Sequence, residues 1–239
     1  MNRAGKTRRA LVTGGNRGLG DAIARALGDA GCEVLVVASS KESLVSSPYQ
    51  GFAANLSSLE ETLDLAATVV GQSIDILVNN AGLNRISPFA DIEPADFQAV
   101  QDINLRAPML LCKAVLGHMR DSGWGRIVNV ASIWAEVSRE QRASYSASKS
   151  GLVGMTRALA AEVARDGVLA NCVSPGVIDT SLTRTVLGAE GVARIQQEIP
   201  IGRLGRPEEV AALVAFLASE QNTYISGQAI LIDGGFASV

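Results

Sequence analysis

Short apolar runs alternate along this chain with longer segments in which apolar residues recur every three or four positions. The short runs predict buried β-strands at residues 10–12, 34–38, 74–78, 126–131, 168–173 and 229–232. The longer segments predict helices at residues 18–30, 58–70, 102–121, 145–165 and 207–219. Strands that alternate with helices of this length are typical of βαβ units, so the pattern predicts an α/β fold with an open parallel sheet.

The chain is expected to form one domain over residues 1–239, because no repeat, linker or change of composition interrupts it. Residues 181–200 are the one long segment without a clear hydrophobic pattern. A segment of that kind within an α/β domain predicts a lid over the substrate.

The composition excludes several classes of protein. Hydrophobic residues make up 47% and charged residues 19%, which excludes intrinsic disorder. A net charge of −3 gives no basic surface for nucleic acid, and no apolar stretch is long enough to cross a membrane. Cys32, Cys112 and Cys172 lie far apart without metal-ligand spacing. We therefore expect free thiols, no metal and a soluble cytoplasmic protein.

A glycine-rich segment, Thr13–Gly20, follows the first predicted strand and begins the first predicted helix. Its glycines at 14, 18 and 20 allow a sharp turn and a close approach of the backbone to a pyrophosphate. The N-terminus of the following helix would supply unpaired N–H groups and a partial positive charge. The segment predicts a dinucleotide site, with an ordinary glycine-rich turn as the alternative.

A second candidate site combines Tyr145, Lys149 and Ser132. Tyr145 and Lys149 are four residues apart on a predicted helix and so share one face. An ammonium beside a phenol predicts a lowered tyrosine pKa and a proton donor or acceptor near neutral pH. Ser132 follows the strand at 126–131, where ligands of parallel sheets bind. The alternatives are a chance pair on a helix surface and a serine that only caps a turn.

Taken together, these motifs resemble the short-chain dehydrogenase/reductase superfamily in its single-domain form, over Thr13 to Gly235. The resemblance implies a doubly wound Rossmann fold of about seven parallel strands, an NAD(P)-dependent oxidoreductase and a homotetramer. It implies that Tyr145 is the catalytic acid/base and that Ser132 polarises the carbonyl. It also implies that Lys149 holds the nicotinamide ribose and that Asn104 holds a proton-relay water. The cofactor-binding residues implied, beside Tyr145 and Lys149, are Gly14, Asn16, Arg17, Gly18, Leu19, Gly20, Ser39, Ser40, Asn55, Leu56, Asn80, Ala81, Gly82, Pro175, Gly176, Ile178 and Thr180.

The choice between the two nicotinamide cofactors depends on the end of the second strand. The strand ends in Ala38-Ser39-Ser40-Lys41, with no carboxylate to bind the ribose hydroxyls of NAD. Arg17 lies in the glycine turn, where NADP-preferring members of the family carry a basic residue. Hydroxyls and a guanidinium suit a 2′-phosphate, so NADP is predicted rather than NAD.

For the substrate, the sequence leaves several small carbonyl or alcohol compounds open. The stretch Gly202–Glu209 resembles 3-oxoacyl-acyl-carrier-protein reductases, which implies a 3-oxoacyl thioester and an acyl carrier protein as partner. Asp121 and Asp166 dilute the basic surface that such a carrier would need. Arg142, three residues before Tyr145, instead favours a polar or anionic substrate such as a sugar derivative or keto acid, if it faces the pocket. A non-catalytic NADP-binding protein is a further alternative, disfavoured because the catalytic residues are present.

Overall fold

Seven parallel strands form one sheet in the order β3-β2-β1-β4-β5-β6-β7. The structure is a computed structural model that describes residues 7–45 and 47–238. The strands are β1 (Arg9–Thr13), β2 (Glu33–Ala38), β3 (Gln50–Ala53), β4 (Ile76–Asn79), β5 (Gly125–Val130), β6 (Val168–Pro175) and β7 (Ala229–Ile232). The strand order reverses between β1 and β4, which creates a crevice at the carboxyl ends of these two strands.

Eight α-helices accompany the strands within the described residues. They are α1 (Gly18–Asp29), α2 (Lys41–Val45), α3 (Leu59–Val70), α4 (Pro94–Gln101), α5 (Ala107–Ser122), α6 (Ala143–Val163), α7 (Ser181–Glu198) and α8 (Pro207–Ala218). Helices α3, α5 and α6 cover one face of the sheet through residues such as Leu65, Leu111 and Val163. Helices α1 and α8 cover the other face through Ile23 and Val214. The predicted doubly wound α/β fold is confirmed.

Five elements differ from the prediction. Residues 181–200 contain the helix α7, bent at Gly188, whose φ is 64°. The sequence shows no clear hydrophobic pattern here and no helix was predicted, although Ile195 and Ile199 anchor the segment in a small apolar cluster. Its role as a lid over the substrate stays a prediction. The short elements α2, β3 and α4 were not predicted. The helix predicted from residue 102 begins instead with one π-helical turn, Asp102–Arg106, continuous with α4 and α5.

None of the helices in the described part of the chain is both long and apolar enough to span a membrane.

Candidate active site

The glycine turn lies in the crevice between β1 and β4. Gly14 has a φ of +64° and Gly18 a φ of +55°, which glycine adopts without strain. A Cβ at Gly20 would overlap the carbonyl oxygen of Gly14, so glycine is required where α1 begins against the turn. The sequence motif therefore folds into the tight turn that it predicts.

The segment after β4 is tied to this turn by hydrogen bonds that the sequence analysis did not anticipate. The Thr13 hydroxyl accepts hydrogen bonds from the backbone N–H groups of Asn80 and Ala81, both at 2.9 Å. The Asn80 amide in turn donates to the Thr13 carbonyl at 2.9 Å. Thr13 thus acts as a clamp between β1 and β4. The position of Thr13 at the end of the first predicted strand was the feature of the sequence that could have indicated this role.

The turn fits a dinucleotide pyrophosphate. Arg17 precedes the first turn of α1, and no side chain caps that helix N-terminus. Its N–H groups are therefore available to an anion. The Arg17 side chain is exposed, and it forms no ion pair or hydrogen bond with the described residues. Asn16 instead holds the segment after β2, because its amide donates to the Ser43 carbonyl at 3.2 Å. Leu19 packs against the apolar core.

The cofactor-binding candidates that follow β2 and β3 differ in their exposure to solvent and in their hydrogen bonds. Ser39 is exposed, whereas the Ser40 hydroxyl accepts a hydrogen bond from the Ser43 N–H at 3.2 Å in the first turn of α2. Asn55 is exposed, and its amide oxygen accepts hydrogen bonds from both the N–H and the hydroxyl of Ser57. Leu56 is buried in the core. These residues lie on the half of the sheet away from Tyr145, where the adenosine half of a dinucleotide would extend.

Ser132, Tyr145 and Lys149 converge at the carboxyl end of β5. The Lys149 ammonium donates a hydrogen bond of 2.7 Å to the Val130 carbonyl and lies 5.6 Å from the centroid of the Tyr145 ring. The Ser132 hydroxyl interacts with the Tyr145 phenol. It also accepts a hydrogen bond of 3.3 Å from the Trp134 N–H, so the predicted alternative of a capping serine holds as well. A serine can perform both functions, because its oxygen has two lone pairs and its O–H remains free to donate.

The pKa of Tyr145 differs from the prediction. Burial raises the pKa of the phenol above its ordinary value, while Ser132 and the positive charge of Arg142 act to lower it. The predicted lowering of the Tyr145 pKa is wrong for the structure as described, because removal of the phenol from water outweighs the interactions that favour the phenolate. Burial also lowers the pKa of Lys149, to about 8.

Asn104 lies in the π-helical turn between α4 and α5 and is fully buried. Its amide group donates to the Ser148 hydroxyl at 2.9 Å and to the Leu83 carbonyl at 2.8 Å, and its oxygen accepts from the Leu83 N–H. A Cβ at Gly82 would lie 3.5 Å from the Asn104 oxygen and 3.6 Å from the Lys149 nitrogen. Asn104 therefore connects the segment after β4 to α6 beside Lys149.

The remaining cofactor candidates follow β6. Pro175 ends that strand, and Gly176 is close to Asp233, because an added Cβ would lie 2.8 Å from the Asp233 Cα. Ile178 is buried, whereas the Thr180 hydroxyl caps α7 by accepting a hydrogen bond from the Thr183 N–H at 3.2 Å. These four residues lie at the same edge of the sheet as Ser132, although the hydroxyl of Thr180 already has a structural use.

A buried polar network beneath the site was missed by the sequence analysis. The Asn79 amide donates to the Asn129 oxygen at 2.8 Å across paired positions of β4 and β5. The Asn129 amide donates to the Thr156 hydroxyl at 2.8 Å, which links the sheet to α6. The available signal was a polar residue inside the predicted strand at 126–131, Asn129, and one directly after the predicted strand at 74–78, Asn79, since buried polar groups need partners.

The stretch Gly202–Glu209 has a structural function. Arg203 forms a two-point ion pair with Glu209, at 2.7 and 2.8 Å, and Glu209 also accepts the N–H of Arg206 at the start of α8. These contacts lower the pKa of Glu209 to about 2. The residues that resembled 3-oxoacyl reductases therefore contribute to the start of a helix.

Comparisons with known proteins agree with this site. A family model described as Enoyl-(Acyl carrier protein) reductase matches residues 14–237. The 3-oxoacyl-[acyl-carrier-protein] reductase of Rickettsia bellii is 39% identical over 236 residues, which cover 96% of this chain and 97% of the relative. The acetoacetyl-CoA reductase of Shinella zoogloeoides is 38% identical, over 96% and 98% of the two chains.

Solved structures give the same assignment. A gluconate 5-dehydrogenase from Burkholderia cenocepacia, in complex with NADP and tartrate, superposes with a TM-score of 0.88 at 32% identity. The match covers 97% of this chain and 96% of that one. Fold alone would not establish an activity, but here the sequence relatives and the Tyr145–Lys149 pair agree with the fold. The chain therefore belongs to the short-chain dehydrogenase/reductase superfamily of oxidoreductases, as its motifs predicted.

Proposed function

We propose that this protein is an NADP-dependent oxidoreductase that interconverts a carbonyl and an alcohol. The observation that carries the proposal is the convergence of Ser132, Tyr145 and Lys149 at the end of β5, on the same edge of the sheet as the glycine turn. NADP is supported by the relative solved with that cofactor. It is also supported by the exposed Arg17 and by the lack of a carboxylate at the end of β2.

The side chains have distinct tasks in such a reaction. The nicotinamide, when bound, supplies or accepts the hydride. The raised pKa of Tyr145 keeps its phenol protonated at neutral pH, so this group can deliver a proton to the carbonyl oxygen. Ser132 donates a hydrogen bond to the same oxygen as negative charge develops there. Lys149, when charged, binds the ribose hydroxyls and stabilises the phenolate that forms.

Two substrate classes are supported by different observations. The relatives named as 3-oxoacyl-acyl-carrier-protein and acetoacetyl-CoA reductases favour a 3-oxoacyl thioester. The structural relative named as a gluconate dehydrogenase favours a polar, anionic substrate. Arg120 pairs with Asp166 at 2.8 Å, which reduces the free positive charge available to dock an acidic carrier protein.

The test is oxidation of NADPH, followed by absorbance, with a panel of acetoacetyl-CoA, keto acids and keto sugars. Tyr145→Phe removes only the hydroxyl, so it should retain NADPH binding and lose turnover by about 10²- to 10⁴-fold, the usual contribution of a positioned acid. Near wild-type turnover by the variant would show that Tyr145 is not the proton donor. Cofactor binding without turnover of any substrate would favour a non-catalytic NADP-binding protein.

We also propose a cytoplasmic homotetramer, as the family resemblance implies. The edge strand β7 supports assembly, because among the described strands it pairs only with β6 and leaves Leu231 39% exposed. Light scattering coupled to size-exclusion chromatography should give a mass near four times 24.9 kDa.

A further inference from the structure

Arg142 is a half-buried cation beside the proposed proton donor. It immediately precedes α6, three residues before Tyr145. Its positive charge acts on the phenol of Tyr145, and burial lowers the pKa of its own guanidinium. Among the described residues, no carboxylate pairs with Arg142 and no group accepts a hydrogen bond from it. A guanidinium withdrawn from water without an acceptor is costly, so an anion at this position would be bound favourably.

Trp134 contacts both Arg142, through its ring, and Ser132, through its backbone. The guanidinium carbon lies 5.8 Å from the centroid of the Trp134 ring, and the backbone N–H of Trp134 donates to the Ser132 hydroxyl. Phe236 packs edge-on against the same indole at 6.0 Å. Trp134 therefore forms a platform that connects Arg142 to the reacting end of the site.

Two arginines lie over the Trp134 ring, and only one of them has a carboxylate partner among the described residues. Arg139 also lies over Trp134, at 5.7 Å, but it is paired with Glu198 at 3.6 Å. The two guanidinium groups repel one another. Tyr145, the other titratable group that acts on Arg142, is neutral at pH 7 because its pKa is raised. One uncompensated positive charge therefore remains at this wall of the site.

The backbone before Arg142 is held in an uncommon conformation. Gln141 has a φ of +65°, in the left-handed region that non-glycine residues rarely occupy, and its carbonyl accepts a hydrogen bond from the Ser87 N–H at 3.3 Å. Such conformations persist where the surrounding structure requires a particular placement, and they cluster at ligand-binding sites.

We infer that Arg142 binds a carboxylate of the substrate and selects carbonyl compounds that carry one, such as keto acids or keto-sugar acids. The inference rests on the proposed function, because the substrate must present its carbonyl to Ser132 and Tyr145 while its carboxylate reaches Arg142. A 3-oxoacyl thioester has no charge close to its ketone and would leave Arg142 without a partner. The guanidinium can donate two parallel hydrogen bonds to a carboxylate, which also fixes the orientation of the substrate.

The experiment compares pyruvate, acetoacetate and levulinate with their methyl esters, in which the carboxylate charge is absent. Wild type should prefer the acids. Arg142→Gln should lower kcat/KM for the preferred acid by about 10- to 100-fold and change that for its ester less than about threefold. Arg139→Gln is the matched control, because it removes a nearby charge that already has a partner. Its effect on both substrates should be about threefold or less.

A binding measurement separates this inference from the proposed function. In the Tyr145→Phe background, the same acids and esters are titrated calorimetrically into protein saturated with NADPH. Binding of an acid that is lost with Arg142→Gln supports the carboxylate site, even if wild type turns over none of these compounds. The inference is overturned if no acid binds, if acids and esters bind equally, or if Arg142→Gln weakens both equally. Turnover of esters as fast as acids would overturn it while leaving the proposed function intact.

Discussion

The ammonium of Lys149 is one of the few charged groups that this protein buries. It is 3% exposed, and its one hydrogen bond in the described structure goes to the Val130 carbonyl. Burial lowers its pKa from 10.5 to about 8. Between these pH values the unfolded chain binds more protons than the folded chain, so this group makes the folded state more stable as the pH rises through that window. Below pH 8 the buried charge is a constant cost to stability.

Lys149→Met should therefore stabilise the cofactor-free protein at neutral pH while it impairs catalysis. The shift corresponds to about 3 kcal/mol, less about 1 kcal/mol for the lost hydrogen bond, so a gain of about 2 kcal/mol is expected at pH 7. The gain should shrink as the pH approaches 10.5. Urea unfolding of both proteins across this range measures it. A difference that stays constant with pH would show that folding does not lower the pKa of Lys149.

Replacement of Arg17 is expected to change the preference of the protein between NADPH and NADH. Its exposed guanidinium at the start of α1 can meet a 2′-phosphate. NADPH should bind about tenfold or more tightly than NADH, since a charge-assisted contact contributes about 1.5–3 kcal/mol. Arg17→Ala should remove most of that preference. Arg25→Ala is the control, because it removes an exposed charge from the same helix where Asp21 already pairs with it. Fluorescence titration of both cofactors decides, and equal affinities in wild type would contradict the prediction.

At the scale of single residues, the sequence predicted which residues form the candidate site better than it predicted their surroundings in the fold. Tyr145, Lys149 and Ser132 were recognised from spacing and position, and their roles remain predictions until they are tested by substitution. The pKa of Tyr145 was not predictable, because it depends on how completely the folded protein removes the phenol from water. The uses of Ser40 and Thr180 as helix caps were missed for the same reason: a hydroxyl in a sequence does not reveal its acceptor or donor.

At the scale of the elements, helix α1 contains two glycines, Gly20 and Gly28, whose replacement by alanine should have opposite effects. Gly20 is buried at its start, where an added Cβ would overlap the Gly14 carbonyl, whereas Gly28 is exposed near its end with free space around it. Gly20→Ala should lower the free energy of unfolding by about 1–3 kcal/mol and weaken NADPH binding, since the turn must shift. Gly28→Ala should raise stability by about 0.5–1 kcal/mol through helix propensity and leave binding unchanged. Thermal unfolding with and without NADPH tests both. An alanine tolerated at 20 with full NADPH affinity would show that the close packing of the turn is not needed.

The missed elements share a physical cause. Strand β3 has four residues, including a glycine and a glutamine, and lies at the edge of the sheet, so no apolar run marks it. Helix α7 buries only Ile195, which leaves too little hydrophobic periodicity to detect. The central strands and the helices that cover them were predicted well, because burial on both faces imposes continuous apolar runs.

At the scale of the whole molecule, a buried cluster around Arg126 and the candidate active site lie at opposite ends of the sheet. Arg126 lies at the start of β5, whereas Ser132 follows its end. The Arg126 guanidinium is buried and donates to four backbone carbonyls, those of Gly125, Gly167, Ser219 and Asn222. It also stacks on Trp124 at 4.4 Å, with Arg8 on the same ring at 3.8 Å. This cluster joins β5, the turn before β6 and the segment after α8.

Arg126→Met should therefore destabilise the protein without changing the active site. Loss of these bonds should cost about 3 kcal/mol and lower Tm by roughly 5–10 °C. Arg120→Met, which removes one partner of the exposed Arg120–Asp166 pair nearby, should cost less than about 1 kcal/mol. Thermal unfolding measures both variants. kcat/KM at 25 °C should match wild type, and a tenfold loss in Arg126→Met would show that the two ends are coupled.

The order of the strands has a consequence for how the chain is made on the ribosome. β1 lies inside the sheet, β2 and β3 add outward on one side, and β4 to β7 then add outward on the other. Each strand therefore emerges after the neighbour that it must join, and no strand has to enter between two that are already paired. The nascent chain can extend the sheet during synthesis without undoing earlier pairs.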